Sequence, residues 1–114
     1  MSEERVDISM LTSLVGDNRM MHCKLFESFT KSTPQIIEDI KQAHERHDVD
    51  AVRQHAHKMK SSSRSMGASQ LADLCEGLEK AGKESQWDQI NSLVSQLDDN
   101  YSAVASWIET YCSA

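Results

Sequence analysis

The stretch WDQINSLVSQLDDNYSAVASWIETY, residues 87–111, places Trp87, Ile90, Val94, Leu97, Tyr101, Val104, Ile108 and Tyr111 at alternating steps of three and four. That spacing follows the 3.6-residue period of a helix rather than the period of two of a strand, so it predicts one continuous amphipathic helix with a single apolar stripe. Ser85, with Asp88 three residues later, comes close to a capping box, and Gly82 marks the end of the segment before it. Working towards the N-terminus, Leu71, Leu74, Cys75, Leu78 and Ala81 predict a second amphipathic helix with Ser69 as N-cap. Asp48 is placed to cap a third, reaching about Met66, with Val49, Val52, Ala56, Met59, Ser63 and Met66 on one face and Gly67 closing it. A fourth, capped by Asp17, turns Met21, Leu25, Phe29, Ile36, Ile40 and Ala43 inward, with Phe26 and Ile37 flanking. Pro34 leaves open whether that helix kinks or restarts, since proline is comfortable at a first helical position and costs about 3 kcal/mol inside a helix. A short helix from about Asp7 to Val15 completes the set.

The composition agrees with this pattern. Of 114 residues, 39% are hydrophobic and 26% charged, which suits one core and a single domain spanning 1–114. Four Gly and one Pro stand where average usage gives about 14, too few for the many tight turns of a sandwich or barrel. Short connections favour antiparallel neighbours, so the expected fold is all-α: an antiparallel four-helix bundle with a short extra N-terminal helix. Without a run of 18 apolar residues or a basic-then-apolar leader, the chain is expected to be soluble and cytoplasmic. Cys23, Cys75 and Cys112 are odd in number and form no C-x-x-C pair, which fits free thiols in a reducing compartment.

The formal net charge of −6 argues against general nucleic-acid binding. Its distribution is uneven, because residues 51–72 contain Arg53, Lys58, Lys60 and Arg64 and no acidic residue, leaving eight basic against 18 acidic residues elsewhere. A basic island on an acidic chain is the place to look for a site that handles negative charge.

On the wheel of the Asp48–Met66 helix, Arg53, Lys60, Ser61 and Arg64 fall within about 60° of His57, and the apolar face centres about 140° away. His57 is therefore expected in solvent among cations. An exposed imidazole titrates near pH 6.5, so at neutral pH it is mostly neutral, with one nitrogen lone pair available for nucleophilic attack on phosphorus. Five histidines also raise the question of a metal. His55 and His57 point about 200° apart, and His44 and His47 lack a third ligand at a suitable spacing, so no metal site is expected. His55 is expected beside the apolar face as a half-buried packing residue, and His22 at the surface or its boundary. Ser61, Ser62 and Ser63 come with no Ser-His-Asp arrangement, and the chain has no Gly-rich phosphate cradle, so serine nucleophile and nucleotide-dependent kinase readings are disfavoured.

The run Ala56-His57-Lys58-Met59-Lys60-Ser61-Ser62-Ser63-Arg64-Ser65-Met66-Gly67-Ala68 closely resembles the signature of histidine-containing phosphotransfer (HPt) domains. The family pattern has Ala-His, an apolar residue, Lys, Gly, two small residues and a later apolar-Gly-Ala. The resemblance extends to the Asp7 segment, to Gly16-Asp17 opening a Phe-containing helix, and to Leu71, Leu74, Cys75, Leu78 and Glu79 after the motif. It implies that His57 carries a phosphoryl group on its outer ring nitrogen, that Lys60 neighbours the phosphate, and that Gly67 ends the helix beside a close backbone turn. Glu79 matches the position whose carboxylate or amide holds the inner ring nitrogen. The departure is Ser61, where most members have Gly; its hydroxyl either narrows the choice of partner or donates to the phosphate. By the same resemblance Ser61, Arg64, Gly67, Ala68 and Lys83 are candidate partner-binding positions. The partners implied are receiver domains of response regulators and of hybrid sensor histidine kinases, with Mg2+ in the receiver and no cofactor in this chain, which is expected to be a monomer. The alternative is a bundle of the same fold that binds a receiver or kinase without transferring phosphate.

Overall fold

The computed structural model describes residues 5–113. Within these described residues six helices follow one another: α1 (Ser9–Val15), α2 (Arg19–Glu45), α3 (Val49–Ser65), α4 (Ser69–Lys83), α5 (Trp87–Ser95) and α6 (Leu97–Ser113). α2, α3, α4 and the α5/α6 pair pack in cyclic order as the expected four-helix bundle, and α1 lies against α2. The 27 residues of α2 span about 40 Å, and the long axis of the molecule is 42 Å. Among the described residues no helix is long and apolar enough to cross a membrane.

The predicted stripes form the core. Leu71, Leu74, Cys75, Leu78 and Ala81 from α4, Val52, Ala56 and Met59 from α3, and Ile90, Val94, Leu97, Val104 and Ile108 from α5/α6 are all buried. On α2 the inward face is rotated slightly from expectation. Phe26 and Ile37 are in the core, whereas Met21 is 40% exposed.

The three turns linking α2 to α5 share one construction. After α2, His47 N–H donates to His44 O and Asp48 N–H to Ala43 O; after α3, Gly67 donates to Arg64 O and Ala68 to Ser63 O; after α4, Ser85 donates to Gly82 O and Gln86 to Ala81 O. Each is a Schellman closure in which the residue after the left-handed one also opens the next helix. The left-handed positions are His47 (φ 57°), Gly67 (φ 80°) and Ser85 (φ 52°). This explains three shifted caps. Ser85 closes α4 instead of capping α5, so Gln86 takes the N-cap. Ala68, not Ser69, precedes α4, and α4 runs one residue past Gly82. Asp48 caps α3 as predicted, accepting from Ala51 N–H, while α2 is capped by Asn18, one residue beyond Asp17.

The C-terminal stripe was expected on one helix, but the chain breaks at Gln96. The Ser95 hydroxyl and the Gln96 side-chain amide both donate to Ser92 O, the carbonyl a continuous helix would offer to Gln96 N–H, and that N–H turns instead to Leu93 O at 3.1 Å.

Pro34 sits inside α2, which neither ends nor restarts there. A proline at this position leaves Thr30 O without its helical donor, and the Tyr101 hydroxyl of α6 donates to that oxygen at 3.3 Å. One turn away, the buried Thr33 hydroxyl donates to Phe29 O at 2.6 Å. Tyr101→Phe should cost about 1 kcal/mol in urea unfolding of the wild type and much less in a Pro34→Ala background, where the backbone N–H restored by the substitution fills the same role. Equal costs in both backgrounds would remove Tyr101 from this role.

Two expectations about polar groups are overturned. Cys23 and Cys112 are joined in a disulfide, and only Cys75 is free and buried. The two half-cystines are 89 residues apart in sequence and meet because the start of α2 and the end of α6 lie side by side; an odd count without C-x-x-C cannot register such a pairing. His22 is fully buried rather than at the surface. Burial is satisfied at both ring nitrogens: Nδ1 lies 2.9 Å from the Tyr111 hydroxyl and Nε2 2.8 Å from Gly16 O.

Candidate functional site

His57 lies mid-way along α3 on its solvent face, its side chain 63% exposed, as the wheel predicted. α4 runs alongside and brings Glu79 against it. Glu79 Oε2 is 2.9 Å from His57 Nδ1, and Glu79 Oε1 is 2.7 Å from Lys60 Nζ, so one carboxylate bridges two side chains one turn apart on α3. Facing an ionised carboxylate, Nδ1 carries the hydrogen and donates. Nε2 is then the nitrogen with the lone pair.

The ammonium of Lys60, 2.7 Å from Oε1, is the largest influence on Glu79; with the His57 contact it outweighs burial, and the carboxyl is held below its ordinary value. A group whose pKa falls on folding stabilises the native state above its unfolded value and loses that contribution as pH drops through the folded one. Urea unfolding of wild type and Glu79→Gln at pH 7 and pH 3 should therefore show a larger acid loss of stability in the wild type. An identical loss would show that the bridge contributes nothing to acid sensitivity.

The cleft beside His57, about 340 Å3, is lined by Asp50, Arg53, Gln54, His57 and Glu79. Arg53 was expected on this face; Asp50 and Gln54 are additions, although their spacing of seven and three residues before His57 places them there too. A second cleft between α3 and α4 has Arg53, Lys60, Glu76, Glu79, Lys80 and Lys83 along it. Here the basic island needs correction. It is basic in sequence, but in space Glu79 binds Lys60, Glu76 lies 3.1 Å from Arg64, and Asp50 lies 3.5 Å from Arg53. Glu76 and Glu79 come from another helix, where a count along residues 51–72 cannot see them.

The other expected positions divide. Ser61, Arg64 and Lys83 are exposed. Gly67 and Ala68 are buried, Ala68 completely, so neither offers surface to a partner. The role of Gly67 is internal: Asp7 N–H donates to Gly67 O at 2.8 Å, and a Cβ on Gly67 would overlap the Asp7 carbonyl. His44 Nε2 lies beside Asn91 Oδ1, and the His44 and His47 rings face Trp87. Among the described residues no group of three or more His, Cys, Asp or Glu is disposed to hold a metal ion.

The site is thus an exposed histidine on a four-helix bundle, its Nδ1 facing a carboxylate from the next helix. Residues 24–107 match the Hpt domain, and the chain belongs to this family, the histidine phosphotransfer domains of phosphorelays. Members are phosphotransfer carriers rather than conventional enzymes, and they interact with receiver domains. Among solved structures the fold is similar to the crystal structure of histidine-containing phosphotransfer protein B (HptB) from Pseudomonas aeruginosa PAO1, with a TM-score of 0.89, 23% identity, and coverage of 98% of this chain and 97% of that one. No curated protein matches the chain.

Proposed function

We propose that this chain relays a phosphoryl group between Nε2 of His57 and aspartates of receiver domains in response regulators and hybrid sensor kinases. The observation that carries the reading is the Glu79–His57 contact, which keeps the hydrogen on Nδ1 and the lone pair on an exposed ring. In the forward step Nε2 attacks the phosphorus of a receiver aspartyl phosphate in line. The N–P bond forms, the P–O bond to the aspartate breaks, and the carboxylate leaves with the electron pair. Glu79 stabilises the positive charge that develops on the ring, and Lys60, anchored on the same carboxylate, adds positive charge beside the incoming group. Mg2+ belongs to the receiver pocket, and this chain needs no cofactor of its own. Ser61, Arg64 and Lys83 are the exposed positions assigned to docking.

The cytoplasm is the proposed location, since that is where receiver domains of such relays work. The test is intact-mass and peptide analysis after treatment with phosphoramidate. One acid-labile, base-stable phosphate on His57 is the expected result. A folded chain that takes up no phosphate yet still binds a receiver domain would replace the carrier with a non-transferring adaptor.

A further inference from the structure

The disulfide joins Cys23, in the second turn of α2, to Cys112, in the last turn of α6. Both residues are half-buried, and they line a solvent cleft of about 420 Å3 together with Arg19, Met20, Lys24 and Glu27. Two of those side chains are cationic. The single carboxylate, Glu27, has Lys31 within 3.8 Å. Structural disulfides are ordinarily shielded from solutes; this one has an open approach and a positive rim.

We propose that Cys23–Cys112 is a thiol–disulfide exchange site for small, negatively charged thiols of the glutathione type. The inference is independent of the phosphotransfer reading. The two sulfurs are electrostatically unequal. Cys112 lies at the carbonyl end of α6, which disfavours negative charge, whereas Cys23 lies near the amide end of α2 beside Arg19 and Lys24, which favour it. The incoming thiolate therefore attacks Cys112 sulfur, the S–S bond breaks, and its electron pair departs on Cys23 as a thiolate. A second small thiolate attacks the mixed disulfide at its own kind of sulfur, releasing a small-molecule disulfide and the Cys112 thiolate, which takes a proton from water. Two electrons enter the protein and two small thiols are oxidised; the same small disulfide drives the reverse reaction.

Opening the bond removes the covalent tie between the last turn of α6 and α2 and leaves that turn held by the contacts of Tyr111. Tyr111 in that turn holds His22 through its hydroxyl, stacks on Trp107 and lies under the Arg19 guanidinium at 4.8 Å, so the order of the whole corner depends on the sulfur state. Cys75 is the internal control, because burial pushes its thiol up to about 12 and closes it to reagents.

The full chain would be equilibrated under native conditions in buffers of graded reduced-to-oxidised glutathione ratio, quenched with acid, alkylated and mapped by mass spectrometry. The expected result is a paired gain of label at Cys23 and Cys112 as the ratio rises, with Cys75 unlabelled. The rate with glutathione relative to uncharged 2-mercaptoethanol should fall at least about threefold in Arg19→Gln/Lys24→Gln or at 1 M salt, where rim charges are screened. A bond that forms in air but stays closed at every ratio until denaturant is added would overturn the proposal. So would a rate ratio indifferent to both the charges and the salt. The wild-type titration needs no variant, so a poorly folding substitution leaves the test intact.

Discussion

His57→Gln should leave the bundle folded and abolish uptake of phosphate from phosphoramidate and from a phosphorylated receiver. The fold is expected to survive because the imidazole is 63% exposed and its polar contact is with Glu79 alone. A Gln amide can still donate towards that carboxylate, and exposed substitutions of this kind usually change stability by less than about 0.5 kcal/mol. Transfer is expected to vanish because an amide nitrogen has no available lone pair to form an N–P bond. His44, His47 and His55 remain in the variant and report on specificity. His44 and His47 are occupied with Asn91 and Trp87 and have no bridging carboxylate like Glu79. Urea unfolding and intact mass on the same preparation separate the two effects. Undiminished phosphate on folded His57→Gln would move the acceptor elsewhere and remove the proposed role of Glu79 with it.

What the sequence made legible was whatever depends on one helix at a time. The stripes on α3, α4 and α5/α6 predicted the inward faces, with Val49, Trp87, Tyr101 and Tyr111 only half-buried at their edges, and the wheel placed His57 in solvent, because a 3.6-residue period fixes angles along a single element. What it hid depends on two elements meeting. The neutralisation of the basic island comes from Glu76 and Glu79 on α4, and the Cys23–Cys112 bond joins residues 89 apart. The burial of His22 needs Tyr111 from α6 and the carbonyl of Gly16. Caps failed for a different reason. Ser85 looks like a cap residue, yet it takes a left-handed conformation that nothing in its side chain advertises, whereas Gly67 announces itself. Glu79 was legible as a partner of His57 only through the family resemblance, since a spacing of 22 residues carries no helical meaning across a turn.

Gly67→Ala should be the most destabilising single change at the end of the bundle, by about 4–5 kcal/mol. Part of the cost is conformational: at φ 80° a Cβ adds about 1–2 kcal/mol. The larger part is displacement. The added Cβ would overlap the Asp7 carbonyl, so the segment before α1 must lift. Lifting breaks the Asp7–Gly67 hydrogen bond, worth about 1 kcal/mol, and uncovers Val6, now fully buried, at a cost of about 2 kcal/mol. It also carries away Arg5, whose guanidinium donates to Gln70 Oε1 at 2.6 Å. Gly16, at φ 80° and ψ −174° with nothing within 4 Å of an added Cβ, supplies a comparison free of displacement, so Gly16→Ala should cost only its own backbone strain of about 1–3 kcal/mol. The decisive measurement is coupling in urea unfolding. Val6→Ala should destabilise the wild type and have little effect once Gly67→Ala has already displaced the segment, whereas simple addition of the two costs would mean that Gly67 is required for its backbone angle alone.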